Sequence, residues 1–180
     1  MNSFAYKLWD WVCHQVSYRS DNGEYWYFPS ETLARGAGNY KGAGDCDDSA
    51  NLLTSLLRSA GFNAYTVVGS YRGLGHAWTK LDGEILDATY TFAHPVPDPQ
   101  NYHPYAMFND QEVIEMWPGA LSQLFQLARD ECQKLTLMNQ AQQETAAPLG
   151  LAILGGIAVT GIMFGLVYSK AKGVRVEKRT

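Results

Sequence analysis

The chain has 180 residues, 46% of them hydrophobic, and a formal net charge of −4. This length allows one domain plus an appendage, and mild acidity with no basic stripe through residues 1–148 argues against nucleic-acid binding. Its cysteines, Cys13, Cys46 and Cys132, are odd in number and widely spaced. They form neither a disulfide framework nor a zinc pattern and suit reduced thiols in a reducing compartment.

The first predicted element is a helix in "MNSFAYKLWDWVCHQ", with Ser3 placed to cap it and Phe4, Leu8, Trp11 and Val12 as its apolar face. Cys13 lies beside that face and reads as packing. An aromatic stretch, "EYWYFP", follows, and then "RGAGNY" is succeeded by a near-copy, "KGAGDC". The next helix lies in "GDCDDSANLLTSLLRSAG", residues 44–61, where Leu52, Leu53, Leu56, Leu57 and Ala60 make one stripe and Gly61 the stop. Gly44 or Asp45 caps its start, which puts Cys46 in the first turn. Unpaired N–H groups there favour an anion by about 0.3–1 kcal/mol and lower a thiol pKa. Asp45, Asp47 and Asp48 push the other way, because like charge disfavours a thiolate. A reactive Cys46 therefore needs a cationic partner; without one it is a packing residue.

"NAYTVVGSYR" reads as a strand, and "GHAWTKLDGEILDATY" as a hairpin turning at Asp82-Gly83 with a two-residue type I′ turn. That turn sets Leu81 opposite Glu84 and Trp78 opposite Asp87. His76, Trp78 and Lys80 then share a face with Asp87, and His76 and Asp87 become diagonal neighbours with Cα atoms about 7–8 Å apart. "AHPVPDPQNYHPY" reads as a Pro-rich loop holding His94 and His103, while His14 falls in the first helix.

Four further divisions complete the chain order. Residues 1–120 are expected to form the catalytic domain. Residues 121–148 hold an amphipathic helix, with Leu121, Leu124, Phe125, Ala128, Cys132, Leu135 and Met138 on one stripe, and a Gln-rich polar stalk. Residues 149–168, "LGLAILGGIAVTGIMFGLVY", carry no charge and would make a helix of about 30 Å, enough to cross a bilayer core. Its small-x-x-x-small pairs, Gly161/Gly165 and Ala152/Gly156, are a weak signal for helix–helix dimerisation. Residues 169–180 form a basic tail, which the positive-inside rule would keep cytoplasmic. Yet the first fifteen residues have neither a basic n-region nor an apolar core of signal-peptide length. The expectation is a single-pass membrane protein anchored at its C-terminus, with the catalytic domain on the cytoplasmic side.

The chemistry follows from three residues. With Cys46 at a helix start, His76 on one strand and Asp87 on the next, His76 can take the thiol proton and leave a thiolate–imidazolium pair. Asp87 would orient the imidazole and stabilise its charge.

At these residues the chain resembles the transglutaminase-like cysteine protease superfamily, in particular its small bacterial, archaeal and phage members. The resemblance rests on "W-x-x-P-x-E-T-L-A-x-G", "GDCDD-x-A-x-L-L-x-S-L-L-R-x-x-G", "GHAW" and "LDATY", in that order, over about residues 24–92. "MFND" and "WPG" match more loosely. It implies an α+β, papain-like fold with the nucleophile's helix packed on an antiparallel sheet, and a triad on Cys46, His76 and Asp87. It implies acyl transfer through a thioester, with hydrolysis of a peptide or amide in a protein substrate leading. Protein cross-linking is a variant, and a non-catalytic binding module the alternative. The Cys46 N–H would supply one oxyanion donor, and Trp26 is the candidate for a second, against a plain core role. No cofactor is required. Some bacterial relatives bind calcium through carboxylates flanking the nucleophile, which Asp45 and Asp47 match; the alternative is that these two only cap and solvate the helix start. The chain departs from relatives in the extra turn Gly38–Lys41 upstream of the nucleophile, expected to reshape the cleft rim.

Overall fold

The computed structural model describes residues 1–20 and 25–126, positions 129, 133 and 137, and the backbone of 175–178. Helix α1 runs Ser3–Gln15, and Asn2 caps it, its Oδ1 accepting from Phe4 N at 2.8 Å. Its buried face is Ala5, Trp9, Val12 and Cys13, with Leu8 partly buried, while Phe4 and Trp11 are exposed. This corrects both the cap and the face expected from the sequence. Several aromatic positions compete in this helix, and Trp9 wins because its Nε1 donates to the Asp87 carbonyl at 2.9 Å as its ring enters the core.

Strand β1, Val16–Tyr18, pairs in parallel with β2, Gly42–Gly44. Between them lies the short helix α2, Pro29–Ala34, opened by Pro29 at its first position and by Glu31, which accepts from Phe28 N at 2.8 Å. The two copies of "GAG" have opposite fates. The first is an exposed turn with Gly38 at φ 63°, and the second is buried strand β2.

Helix α3, Cys46–Ser59, crosses the main sheet and ends at Gly61, φ 86°. Its Leu52, Leu53 and Leu57 join Trp9, Val12, Val16, Ala64, Leu81 and Leu86 in one core; each leucine contributes about 2 kcal/mol by burial. Threonines pin its first half to the sheet. Thr79 Oγ1 donates to Ala50 O at 3.0 Å and lies 3.2 Å from Thr54 Oγ1, and Thr66 Oγ1 donates to Asn51 Oδ1 at 3.1 Å. Cys46, one turn before Ala50, is thereby fixed over the sheet.

The sheet comprises β3 (Ala64–Tyr71), β4 (Leu74–Leu81), β5 (Glu84–Leu86), β6 (Tyr102–Phe108), β7 (Glu112–Glu115) and β8 (Arg175–Lys178), in the order β5-β4-β3-β6-β7-β8. The first five are antiparallel neighbours, and β8 joins β7 in parallel. The β4–β5 turn has positive φ at both Asp82 (51°) and Gly83 (87°), as type I′ requires, and Leu81 faces Glu84 as expected. The segment read as a Pro-rich loop contains a strand, β6, between β3 and β7. Pro104 is tolerated there because the β3–β6 register shifts at Val68/Gly69, beside it. On the sheet face away from α3, Val67, Trp78, Tyr102, Met107 and Ile114 form a second core.

Residues 120–126 are helical, and Glu115 Oε1 accepts from Leu121 N at 3.1 Å. Leu121, Leu124 and Phe125 are half-buried, in keeping with one stripe. Cys132, the stalk and the apolar stretch 149–168 lie outside the described residues. Among the described residues no helix is long and apolar enough to cross a membrane. The pairing of β7 with β8 sets a condition on the anchor: strands in one sheet lie on one side of a bilayer, whereas a single crossing at 149–168 separates them.

Candidate active site

Strand β2 delivers the chain to the start of α3, where Asp45 is the N-cap and Cys46 the first helical residue. Gly44 makes the tight entry feasible, because the Asp48 carboxyl occupies the space a Cβ on it would need. Asp48 is itself buried and ties two segments together. It accepts from Tyr27 N at 2.8 Å and Asp45 N at 3.4 Å, with Arg35 Nη1 3.9 Å away. Arg35 in turn lies over the Tyr27 ring, 3.7 Å from its centroid.

Cys46 is half-buried and carries a thiol, not a disulfide. Its Sγ and one carboxylate oxygen each from Asp45 and Asp47 lie within 4.8 Å of one another. Asp45 Oδ1 and Asp47 Oδ2 are buried without a hydrogen-bond partner. Burial pushes the Asp47 carboxyl up to about 10, helped by the neighbouring carboxyls of Asp45 and Asp48. Capping alone therefore leaves two buried oxygens unsatisfied, and hard oxygen donors in this position suit a divalent cation.

The sheet edge builds the second half of the site. His76 Nε2 and Asp87 Oδ2 are 2.8 Å apart. Because β5 stops at Leu86, Asp87 stands just beyond the strand and folds back through Thr89. Thr89 N and Oγ1 donate to Asp87 Oδ1 at 2.9 and 2.7 Å. Tyr102 Oη donates to the other oxygen, Oδ2, at 2.8 Å. Burial pushes the Asp87 carboxyl up, but the His76 hydrogen bond and charge, with the Thr89 bonds, hold it below the usual carboxylate range. The imidazole is walled by aromatic rings, with Trp78 stacked at 6.1 Å, Tyr71 at 5.8 Å and Tyr102 at 6.0 Å.

Tyr18, 62% exposed at the end of β1 opposite Gly44, relates the two halves. Its phenol is pushed up by burial and by the charges of Cys46, Asp45, Asp47 and Asp87 together. The Tyr18 phenol thus lies within electrostatic reach of both the start of α3 and Asp87. Trp26 is half-buried and packs its ring 6.0 Å from Phe108, next in the chain to Tyr27, which α3 holds through Asp48. The remaining histidines lie apart from this cluster. His14 pairs with Asp10 at 3.4 Å, His94 packs on Tyr90, and His103 is exposed. Sequence reasoning passed over Tyr102 and Thr89, and read Asp48 only as a charge opposing the thiolate, not as the buried tie to Tyr27. Thr89, two residues after Asp87, fits an Asx-turn and had a local signal; Tyr102 had none.

The family model for the transglutaminase-like superfamily matches residues 2–107. The chain belongs to the transglutaminase-like superfamily. Curated relatives from Pongo abelii, Xenopus tropicalis and Homo sapiens share the name Centrosomal protein of 76 kDa. That of Pongo abelii is 48% identical over 50 residues, 27% of this chain and 7% of its own length. That of Xenopus tropicalis is 36% identical over 73 residues, 40% of this chain and 11% of its own length. The chain thus spans only 7% and 11% of these relatives. Calcium-bound LapG of Legionella pneumophila superposes with a TM-score of 0.50 at 19% identity, covering 61% of this chain and 65% of that one. EGTA-treated LapG gives the same score, covering 61% and 63%. The likeness to LapG is one of fold.

Proposed function

We propose that this superfamily member is a cysteine-dependent acyl-transfer enzyme, and that its leading reaction is hydrolysis of a peptide or side-chain amide through a thioester. The observation that supports this most is the His76 Nε2–Asp87 Oδ2 bond of 2.8 Å on the sheet that carries the helix of Cys46. With Nε2 engaged by the carboxylate, Nδ1 is the ring nitrogen left for the thiol proton. In acylation His76 accepts the proton of Sγ, the Sγ–carbon bond forms, and the carbon–nitrogen bond breaks as the imidazolium protonates the departing amine. In deacylation His76 deprotonates a water, the oxygen–carbon bond forms, and Sγ leaves and regains its proton. The Cys46 N–H and the Trp26 indole are assigned to the developing oxyanion. An amine in place of water turns the same thioester into a cross-link.

Asp45 and Asp47 are the residues that would hold calcium, the ion named for the LapG structure of like fold. Their two orphaned buried oxygens fit it. When bound, the ion supplies positive charge that offsets the carboxylate repulsion on a Cys46 thiolate. Membrane attachment through residues 149–168 belongs to the same proposal, and a single crossing requires β8 to leave the sheet.

The test is reaction with iodoacetamide, read residue by residue by mass spectrometry, beside turnover of a general peptide library. Cys46 labels faster than Cys13 and Cys132, and Cys46→Ala abolishes turnover while keeping the fold. Equal labelling of the three thiols, or turnover surviving in Cys46→Ala, would refute the enzyme reading in favour of a binding module.

A further inference from the structure

Asp87 is held by four donors, unequal in purpose. Thr89 N and Oγ1 both bind Oδ1, at 2.9 and 2.7 Å, and so fix the carboxylate's orientation without help. Tyr102 Oη instead binds Oδ2, the oxygen that takes the imidazole Nε2, and both distances are 2.8 Å. A phenol has one proton to give, and of the two acceptors beside Tyr102, the Asp87 carboxylate and the Tyr90 hydroxyl, the charged carboxylate is the stronger and takes it. The residue is 6% exposed, pairs with Tyr71 across β3 and β6, and has its ring 4.5 Å from Tyr71 and 5.1 Å from Trp78. Two donors on one oxygen compete, so each draws electron density from the other's bond.

We infer that Tyr102 is a positioning residue for the acyl transfer proposed above, acting through Asp87: by sharing Oδ2 it limits how tightly the carboxylate holds the His76 proton. The inference rests on that reading of Cys46, His76 and Asp87. Its chemical sense lies in the two half-reactions. Acylation needs an imidazolium willing to give its proton to the departing amine, and deacylation needs an imidazole able to take one from water. A carboxylate with its full acceptor strength on Nε2 helps the second and hinders the first. Other titratable groups near this pair are Cys13 from α1 and Tyr18 from β1, both within electrostatic reach of Asp87, Tyr71 from β3, whose ring lies 5.8 Å from that of His76, and Tyr90 beside Tyr102. Tyr90 hydrogen-bonds the Tyr102 side chain, and burial with the nearby Asp87 charge raises the phenol, so Tyr102 stays a donor.

The experiment compares the wild type with Tyr102→Phe and with 3-fluorotyrosine at position 102, a stronger donor of nearly the same shape. The proton NMR signal of His76 Nε2–H is followed beside single-turnover acylation and deacylation with an activated peptide ester and amide. In Tyr102→Phe the signal moves downfield, and amide acylation slows about tenfold, the rate equivalent of roughly one hydrogen bond to a charged group. Deacylation does not slow. In the fluorotyrosine protein the signal moves upfield. A signal unmoved in both proteins, or acylation and deacylation falling by one common factor, overturns the inference. If Tyr102→Phe does not fold, the fluorotyrosine signal alone decides. Absence of any acyl-enzyme on Cys46 in the wild type would sink the enzyme reading instead, and the NMR comparison would still judge Tyr102.

Discussion

Replacing Asp87 by Asn separates what this carboxylate does for the chemistry from what it does for the fold. Asn offers one acceptor oxygen and one NH2 donor where Asp87 accepts from four groups. If the amide oxygen faced His76 and Tyr102, the NH2 would confront the Thr89 backbone N–H, which cannot turn away. That arrangement strands a buried donor at a cost of about 1–3 kcal/mol. If the NH2 faces them, the Tyr102 oxygen accepts while its proton turns to the Tyr90 hydroxyl, and His76 presents an unprotonated Nε2, so every group is satisfied. The second arrangement wins, and it moves the imidazole proton to Nδ1, the nitrogen needed to receive the thiol proton. Stability should fall by about 2 kcal/mol as charge-assisted bonds become neutral ones. For a domain of this size that is a melting shift of about 8 °C. Turnover should fall by about 10⁴-fold, the scale known for the same substitution in serine protease triads. Calorimetry and kcat/KM measured on one preparation check both, and imidazole ¹⁵N shifts report the tautomer. Activity within tenfold of wild type, or an unfolded protein at room temperature, would refute the argument.

Two further outcomes are expected. The folded Asp47 carboxyl lies at about 10 against 3.8 in the reference state, so the metal-free fold binds an extra proton between those values and loses stability as pH rises through that window. Calcium competes for that site. Its stabilisation, about 2.7 kcal/mol at a hundredfold excess over Kd, should grow from pH 6 to pH 8 and vanish in Asp47→Asn; an equal thermal shift in that variant would remove Asp47 as a ligand. For the anchor, full-length protein should resist alkaline carbonate extraction while a chain ending at Ala146 should not, and protease should reach the domain and the 169–180 tail from opposite sides of a sealed vesicle. Cleavage of both from one side would retain the β7–β8 pairing and discard the single crossing.

The sequence by itself determined features governed by neighbours a few residues away. The α3 stripe and its Gly61 stop, the placement of Cys46 in the first turn, and the β4–β5 register were all legible. Two positive-φ positions at Asp82-Gly83 leave little freedom to the strands they join, so His76 and Asp87 could be set side by side from local rules. Tertiary structure decided the rest. The face that α1 buries was chosen by contact with α3 and the distant Asp87 carbonyl, which selected Trp9 over Phe4 and Trp11. The two "GAG" copies share their letters, yet only the second lies beside β1 and is buried. Tyr102 looked like loop because Pro104 argues against a central strand. Only a register shift in β3, a partner far away in sequence, makes that strand feasible. Local patterns encode periodicity and turn geometry, whereas which face is buried, and which hydroxyl reaches a carboxylate, depends on surfaces that exist only once distant segments have packed.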